Sequence, residues 1–155
     1  MGRRESRDAA VKMVYQQGFN PSDQILIDDM IAIFVDNAQY FDDDDKEKKH
    51  DLNYTKDLDM AYLKDVLEGV FKDVDKLDDM INKHAKGWTI SRMARIDVAI
   101  LRIAVYELLY RKDIPNSVSV NEAVELAKKY SHEGAGAFIN GILASVITEI
   151  EGANG

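Results

Sequence analysis

Few side chains in this sequence have the types and spacing that catalysis or metal binding requires. The three histidines, His50, His84 and His132, are far apart along the chain, and none belongs to an HExxH pattern that would bind zinc. The chain has no cysteine, which excludes thiol catalysis and metals bound by cysteine. No glycine-rich run precedes a Lys-Ser or Lys-Thr pair, so a phosphate-binding P-loop is absent too. The residues give no indication of an active site, a metal or a cofactor.

Two segments could bind an ion, although the pattern of each is less specific than a known motif. Gly134-Ala135-Gly136 precedes a predicted helix, where free backbone amides could receive an anion, but the same residues fit a flexible turn. Four consecutive aspartates at 42–45 could attract a divalent ion, yet they lack the spacing of a calcium-binding loop. We interpret them as part of a solvated acidic loop.

The beginning of the chain is basic although the whole chain has a net charge of -8. Residues 1–18 carry four basic and two acidic side chains. Residues 19–85 carry 8 basic and 18 acidic side chains, and residues 86–155 carry 8 basic and 8 acidic ones. A sequence pI near 4.8 argues against nucleic acid as a partner. Charges are screened over about 8 Å at physiological salt, so a local basic cluster could still meet phosphate on an acidic protein. The alternative is that the arginines at the start are simply solvated.

The elements that must position these side chains are predicted to be helices almost throughout. Apolar residues recur three and four positions apart, and no Asn-Gly turn separates alternating apolar runs. The pattern predicts seven helices, over about residues 4–19, 21–41, 57–72, 76–84, 90–110, 120–130 and 138–147. The fifth helix is apolar nearly all round, which predicts a buried central helix.

Helix starts are predicted from capping patterns. Asn20-Pro21 suggests an N-cap with proline at the first helical position, and Asp75 suggests the cap of the fourth helix. Residues 119–122, Ser-Val-Asn-Glu, match a capping box for the sixth helix, and 134–137 resemble a small-residue hinge. We predict an all-α fold in which an N-terminal three-helix bundle packs on a C-terminal four-helix bundle.

The chain is predicted to be a single domain over residues 1–155. Its N-terminal helical subdomain would span 1–85 and include an acidic insert at 42–56, and its C-terminal subdomain would span 86–155. No apolar run approaches the roughly 18–20 residues that cross a bilayer. We therefore expect no membrane association and a cytoplasmic location.

Three stretches together resemble the NusB family of bacterial transcription antitermination factors. The first is the arginine-rich start RRESRDAAVKMVYQ, and the last is FINGIL near the end of the chain. Between them lies RIDVAILRIAVYELLYRKDIPNSVSVNEAVELAKKY, whose apolar helix, proline stop and following helix are the specific part. The resemblance covers the chain except for residues 42–56, an insert longer than the family leads us to expect.

The resemblance implies a binding protein rather than an enzyme, without a cofactor. Members of the family bind boxA-type single-stranded RNA together with NusE, a ribosomal protein. The pair acts with other Nus factors on the RNA polymerase elongation complex in ribosomal RNA transcription. Some members form homodimers.

The resemblance also implies site residues. Positions matching the RNA-binding motifs of the family are Arg3, Arg4, Arg7, Tyr15, Phe138 and Asn140. Positions expected to face NusE are Asp97, Glu133 and Gly134, the last of which is glycine where the family has an acidic residue. Arginines pair with phosphates and exposed aromatic rings stack on unpaired bases, although Phe138 would equally fit core packing. Arg102 and Glu107, inside the apolar helix, are expected to be structural.

Two other functions remain open at this point. The first is a helical homodimeric adaptor whose arginines are buried between subunits. The second is a stand-alone RNA-binding module like that of a ribosomal RNA methyltransferase.

Overall fold

The structure of the chain is a computed structural model that describes residues 2–17, 27–41 and 58–154. These ranges contain seven α-helices: α1 (Arg3–Gln17), α2 (Ile27–Phe41), α3 (Met60–Lys72), α4 (Val74–His84), α5 (Arg95–Tyr110), α6 (Asn116–Tyr130) and α7 (Ala135–Asn154). A short 3-10 helix, Ile90–Arg92, lies between α4 and α5, and the described ranges contain no strand. The predictions of an all-α fold and of seven helices are confirmed.

The chain divides into two compact units, Met1–Glu68 and Gly69–Gly155. The first unit holds α1, α2 and most of α3, and the second holds α4 to α7. The division falls within α3, whereas the sequence placed a subdomain boundary near residue 85. An uninterrupted helix carries no proline, glycine cluster or charge run to mark such a division, so the sequence has no local signal for it.

In the first unit, α1 and α3 contribute most of the buried side chains. On α1 the residues from Ser6 to Val11 are all buried, and so are Met13 and Val14. On α3 the buried side chains recur at helical spacing and form one apolar stripe, with Tyr62, Leu63, Val66 and Leu67 in this unit and Val70 after its end. The middle of α1 is therefore core, and its exposed side chains lie near its two ends.

In the second unit, α5 is the central helix. Every side chain from Asp97 to Leu108 is buried, and α5 contacts α4, α6 and α7. This confirms the interpretation of its apolar sequence. Three polar side chains lie within the buried segment: Asp97, Arg102 and Glu107.

A close approach in this unit involves a glycine of α3. A Cβ added at Gly69 would lie 2.0 Å from Cε2 of Tyr106, a buried residue of α5. No side chain fits in that space, so glycine is needed there for close packing rather than for backbone freedom.

Several predicted helix starts differ from the structure. The cap position of α4 is Asp73, so Asp75 lies in the first turn instead. Helix α6 begins at Asn116, directly after Pro115, and the capping box predicted over residues 119–122 is therefore wrong. The Ser119 hydroxyl donates to Oε1 of buried Glu107 at 3.0 Å. A buried carboxylate needs a donor, and that tertiary need outweighs the local capping pattern.

Two sequence predictions lie outside the described residues, namely the cap at Asn20-Pro21 and the acidic loop at 42–56. The fifth helix also begins later than predicted, at Arg95, because residues 90–92 form the 3-10 helix. In the part of the chain that the structure describes, no helix is both long enough and apolar enough to span a bilayer.

Candidate nucleic-acid interface

The start of α1 is fixed to the start of α3 by the Ser6 hydroxyl. Ser6 Oγ donates to the carbonyl oxygen of Gly2 and accepts from the backbone N–H of Asp59, each at 2.6 Å. Ser6 is fully buried, so these bonds are shielded from water. The arginine-rich first turn of α1 is therefore held in a defined position.

Asp59 caps α3 and also binds an arginine. Its Oδ1 accepts from the backbone N–H of Tyr62 at 3.1 Å, as an N-cap does, and its Oδ2 lies 3.3 Å from Arg3 Nε. The backbone hydrogen bond from Tyr62 and, to a smaller extent, the guanidinium of Arg3 lower the pKa of the Asp59 carboxyl. The predicted third helix begins at residue 57 and so places Asp59 inside the helix, although an aspartate before an apolar helix is a typical cap signal.

The three arginines of α1 are not equivalent. The Arg3 guanidinium is 4.8 Å from the centre of the Tyr62 ring, and Arg7 lies 5.5 Å from the same ring. Arg7 is only 4% exposed and Arg3 is partly exposed, whereas Arg4 is exposed. Arg4 is thus placed to meet a ligand directly, whereas Arg7 packs over the ring of Tyr62, as Arg3 does.

Tyr15, near the other end of α1, is 42% exposed. It lies 11 residues after Arg4, which corresponds to about three helical turns and roughly 16 Å along the axis. Arg4 and Tyr15 are therefore on similar sides of the helix, separated by its buried middle. A linear polymer lying along α1 would contact the cation of Arg4 first and the aromatic ring of Tyr15 three turns later.

Replacing Asp59 separates its two roles. We expect Asp59→Ala to lower the free energy of unfolding by about 1–2 kcal/mol, since it removes both the cap and the ion pair. Asp59→Asn keeps a capping oxygen and loses only the partly exposed pair with Arg3, so its cost is expected to be below about 1 kcal/mol. Urea denaturation at pH 7 measures both values. Equal losses in the two variants would contradict the capping role.

The same carboxylate gives a pH dependence. Because folding lowers the pKa of Asp59, its contribution to stability is complete above the pKa of the unfolded chain, about 3.9, and is lost as the pH falls below that value. The stability difference between the wild-type chain and Asp59→Asn should therefore shrink from pH 5 to pH 2. A difference that grows on acidification would show that the pKa shift has the opposite sign.

In the second unit, Phe138 and Asn140 do not share a face. Phe138 is half-buried in the first turns of α7, and its ring meets Trp88 edge to face, with centroids 6.0 Å apart and an interplanar angle of 71°. Asn140 is exposed, and two residues rotate a helix position by about 200°. The two residues of the FINGIL motif therefore face different directions.

The three residues expected to face NusE are close to one another through His132. Asp97 Oδ2 lies 3.6 Å from Nε2 of His132, which directly precedes Glu133 and Gly134 in the segment leading into α7. Glu133 and Gly134 are exposed, and Gly134 has a φ of 88°, a conformation that favours glycine. Asp97 itself is 2% exposed, and no donor among the described residues bonds its Oδ1.

Arg102 and Glu107 have the structural role that the sequence predicted. The Arg102 guanidinium donates to both carboxylate oxygens of Asp78 on α4, at 2.8 Å each. Glu107 accepts from Ser119 on α6, as described above. Arg102 and Glu107 thus each join the central helix to a neighbouring helix.

His84, at the end of α4, also joins two helices. Its Nδ1 lies 2.6 Å from Ser145 Oγ and its Nε2 lies 3.2 Å from Glu149 Oε2, both on α7. Hydrogen bonds from Lys83 and then His84 lower the pKa of Glu149. In the described ranges no three His, Cys, Asp or Glu side chains are grouped as a metal site would need.

These observations define a protein that is helical in its described ranges and whose first helix begins with a fixed arginine cluster. The NusB family model matches residues 4–148 of the chain. The transcription antitermination protein NusB of Ruminiclostridium cellulolyticum is 47% identical over 94% of this chain and 88% of its own length. The NusB protein of Acetivibrio thermocellus is 44% identical, covering 95% of this chain and 89% of its own length. The chain belongs to the NusB family.

Solved structures agree with the fold. A structure of T. maritima NusB has a TM-score of 0.71 and 31% identity, covering 95% of this chain and 91% of that one. A crystal structure of the antitermination factors NusB and NusE in complex with dsRNA has a TM-score of 0.67 and 23% identity, covering 96% of this chain and 97% of that one. The second likeness concerns the fold alone.

Proposed function

We propose that this protein is a transcription antitermination factor that binds boxA-type RNA together with the ribosomal protein NusE. The proposal is carried by its place in the NusB family, over residues 4–148 and at 47% identity to a transcription antitermination protein. In this role it acts on the RNA polymerase elongation complex with other Nus factors, in the cytoplasm, and catalyses no reaction.

The arrangement of α1 supports RNA as the ligand. Arg4 is exposed next to partly exposed Arg3, and Ser6 and Asp59 fix the helix turn that carries them. A guanidinium held in place loses little conformational entropy when it binds a phosphate. Tyr15 offers an exposed ring on which an unpaired base can stack.

The acidic remainder of the chain limits non-specific RNA binding. With a net charge of -8, the protein repels phosphate everywhere except at local basic surfaces. RNA affinity of the isolated protein should be modest, and a second, basic protein would strengthen it. This gives a physical reason for acting together with a ribosomal protein.

The homodimeric adaptor receives less support from the structure. That alternative requires a second copy of the chain to bury the arginines of α1. Arg7 is already 4% exposed within one chain, so its burial needs no second copy. A homodimer that stores the protein until RNA and NusE bind is compatible with the proposed function.

Removing the charge of Arg4 tests the proposal. We expect Arg4→Ala to weaken binding of boxA-type RNA roughly tenfold at low salt, because the variant has one charge-assisted hydrogen bond to phosphate fewer. The slope of log affinity against log salt should become shallower by about 0.7. Fluorescence anisotropy of labelled RNA, with and without NusE, measures both quantities.

Lys128→Ala is the matched control, because it also removes one positive charge but from α6, where Lys128 is 65% exposed. Its RNA affinity should stay within twofold of the wild-type chain. An equal effect of the two variants would mean that the net charge and not the position of Arg4 matters. Equal affinity of the wild-type protein for boxA-type and scrambled RNA, with NusE present, would contradict the proposed function.

A further inference from the structure

The first unit has an exposed surface formed by α2 and the beginning of α3. Ile33 on α2 is 57% exposed, the largest fraction of any large apolar side chain in the described ranges, and Met60 on α3 is 42% exposed. Exposed apolar side chains among charged ones are typical of interaction surfaces, because a partner can bury them. We call this surface the α2–α3 face, and its side chains are Asp29, Ile33, Asp36, Met60, Lys64 and Glu68.

An ion pair joins the two helices at the α2–α3 face. Lys64 Nζ donates to the Asp28 carboxylate at 2.9 Å, and both side chains are largely exposed. The hydrogen bond and charge of Asp28, and to a smaller extent the charge of Glu68, raise the pKa of Lys64. Lys64 lies one helical turn after Met60 and one turn before Glu68, so these three side chains share one side of α3. The exposed surface therefore continues from α2 to α3.

On α2 the apolar side chain lies between two carboxylates. Asp29 precedes Ile33 by four residues and Asp36 follows it by three, and all three side chains are exposed. At about 100° per residue, the three lie within about 60° of one another around the helix. The two aspartates are about 10 Å apart along the helix axis. This spacing matches a partner helix that carries an apolar residue with a cation one turn before it and one turn after it.

The sign of the charges selects the kind of partner. The exposed charged side chains of α2 and of α3 up to Glu68 are four carboxylates and one ammonium, and the ammonium of Lys64 is paired with Asp28. The phosphates of RNA are repelled by such a surface. The same face of a second copy is repelled too, because carboxylates would lie opposite carboxylates. A protein segment with an apolar residue between lysines or arginines is complementary in both charge and hydrophobicity.

We propose that the α2–α3 face binds a basic amphipathic segment of a protein other than NusE. An apolar side chain of that segment packs on Ile33, and the cations on either side of it pair with Asp29 and Asp36. The inference goes beyond the proposed function, in which the residues expected to face NusE all belong to the second unit. It rests on the proposed function only in that the elongation complex supplies the partner.

Titration with a designed helical peptide tests the chemistry of the face. The peptide carries one leucine with a lysine four residues before it and another three residues after it, and a matched peptide carries glutamates in place of the lysines. The methyl NMR signals of Ile33 and Met60 in the full-length protein should shift with the lysine peptide and stay unchanged with the glutamate peptide. Ile33→Ser should weaken binding of the lysine peptide about tenfold, because less apolar surface is buried.

Removing the two carboxylates tests the role of charge separately. Asp29→Asn/Asp36→Asn should weaken binding of the lysine peptide about 2- to 30-fold, the equivalent of two exposed ion pairs of about 0.2–1 kcal/mol each, with 1.4 kcal/mol per factor of ten. Raising the salt concentration should weaken binding to the wild-type chain and have little effect on this variant.

Matched controls come from the second unit. Val118→Ser removes a 39% exposed apolar side chain from α6. Asp113→Asn/Glu125→Gln removes two carboxylates that are 59% and 62% exposed. Both control variants should bind the lysine peptide within twofold of the wild-type chain. Circular dichroism should give the same helical content for every variant.

A reconstituted RNA polymerase elongation complex with other Nus factors tests the partner. The chain, bound to NusE and boxA-type RNA, is titrated against this complex. Ile33→Ser and Asp29→Asn/Asp36→Asn should weaken that binding by factors similar to those for the peptide. The affinities of both variants for NusE and for RNA should stay within twofold of the wild-type values.

The outcomes separate this inference from the proposed function. If the lysine peptide leaves both methyl signals unchanged, or if the variants bind the elongation complex as the wild-type chain does, the inference is overturned while the proposed function stands. If Ile33→Ser weakens binding of NusE or RNA, or weakens self-association in sedimentation, the face has a different occupant and the inference is also overturned. If the wild-type chain does not bind the elongation complex at all, the proposed function fails, and the peptide titration alone decides whether the face binds a basic segment.

Discussion

Asp78→Ala is expected to lower the free energy of unfolding by about 3–5 kcal/mol, the loss found when one partner of a buried ion pair is removed. The Asp78 carboxylate accepts two hydrogen bonds of 2.8 Å from the Arg102 guanidinium. The Arg102 side chain is 5% exposed in the middle of α5, so the variant leaves a buried charge without this carboxylate. Since the Asp78 side chain is 23% exposed and water can partly replace it, the lower end of the range is expected.

Urea denaturation of a matched set of variants measures the effect. Asp78→Asn keeps the shape and one acceptor and should lose less than the alanine variant. The double variant Asp78→Leu/Arg102→Met removes both charges, and replacing a buried pair by apolar side chains is often neutral or stabilising. A loss below about 1 kcal/mol in Asp78→Ala would show that the ion pair does not hold α4 to α5.

The sequence predicted this part of the fold because its signal is local. A stretch of apolar residues around the whole circumference of a helix has one stable solution, a central position among other helices. Charged residues inside such a stretch must be paired, so the structural role of Arg102 and Glu107 followed from their position alone. The partners, Asp78 and Ser119, lie 24 and 12 residues away, and nothing local identifies them.

The candidate RNA site shows where sequence reasoning stops. All three arginines of α1 match the family motif, yet the structure buries Arg7 and exposes Arg4. That difference depends on Tyr62, more than 50 residues later in the chain, whose ring lies beneath Arg3 and Arg7. The pairing of Trp88 with Phe138 likewise joins residues that no sequence pattern links. Exposure and ring contacts are tertiary properties, so a motif fixes residue types and not their roles.

Replacing Asp97 should raise the stability of the folded chain and weaken its binding to NusE. It is 2% exposed, and its Oδ1 has no hydrogen-bond partner among the described residues. A buried polar atom left unsatisfied costs about 1–3 kcal/mol. Its favourable contributions are smaller: a position in the first turn of α5, worth about 0.3–1 kcal/mol, and a 3.6 Å contact with the exposed His132. The free-energy cost of the unsatisfied oxygen therefore exceeds the stabilisation that the Asp97 carboxylate provides.

We therefore expect Asp97→Ala to raise the free energy of unfolding by about 1 kcal/mol, measured by urea denaturation. Asp113→Ala is the control, because it removes one carboxylate that is 59% exposed and should change stability by less than about 0.5 kcal/mol. A decrease of about 1 kcal/mol or more in Asp97→Ala would mean that the carboxylate is satisfied in the folded chain.

The same variant should bind NusE more weakly if Asp97 is part of the protein interface proposed from the family. A carboxylate that has no hydrogen-bond donor in the free protein is stabilised when a basic partner supplies one. Removing one side of such a charged pair costs about 2–5 kcal/mol of binding free energy. The exposed residues Glu133 and Gly134 follow His132, whose Nε2 lies 3.6 Å from Oδ2 of Asp97, so a partner that binds this segment comes close to the carboxylate. Calorimetric titration with NusE measures the loss. A buried carboxylate that destabilises the free protein is expected to have a function, such as partner binding. If Asp97→Ala is more stable than the wild-type chain but binds NusE with unchanged affinity, the NusE interface is formed by other residues.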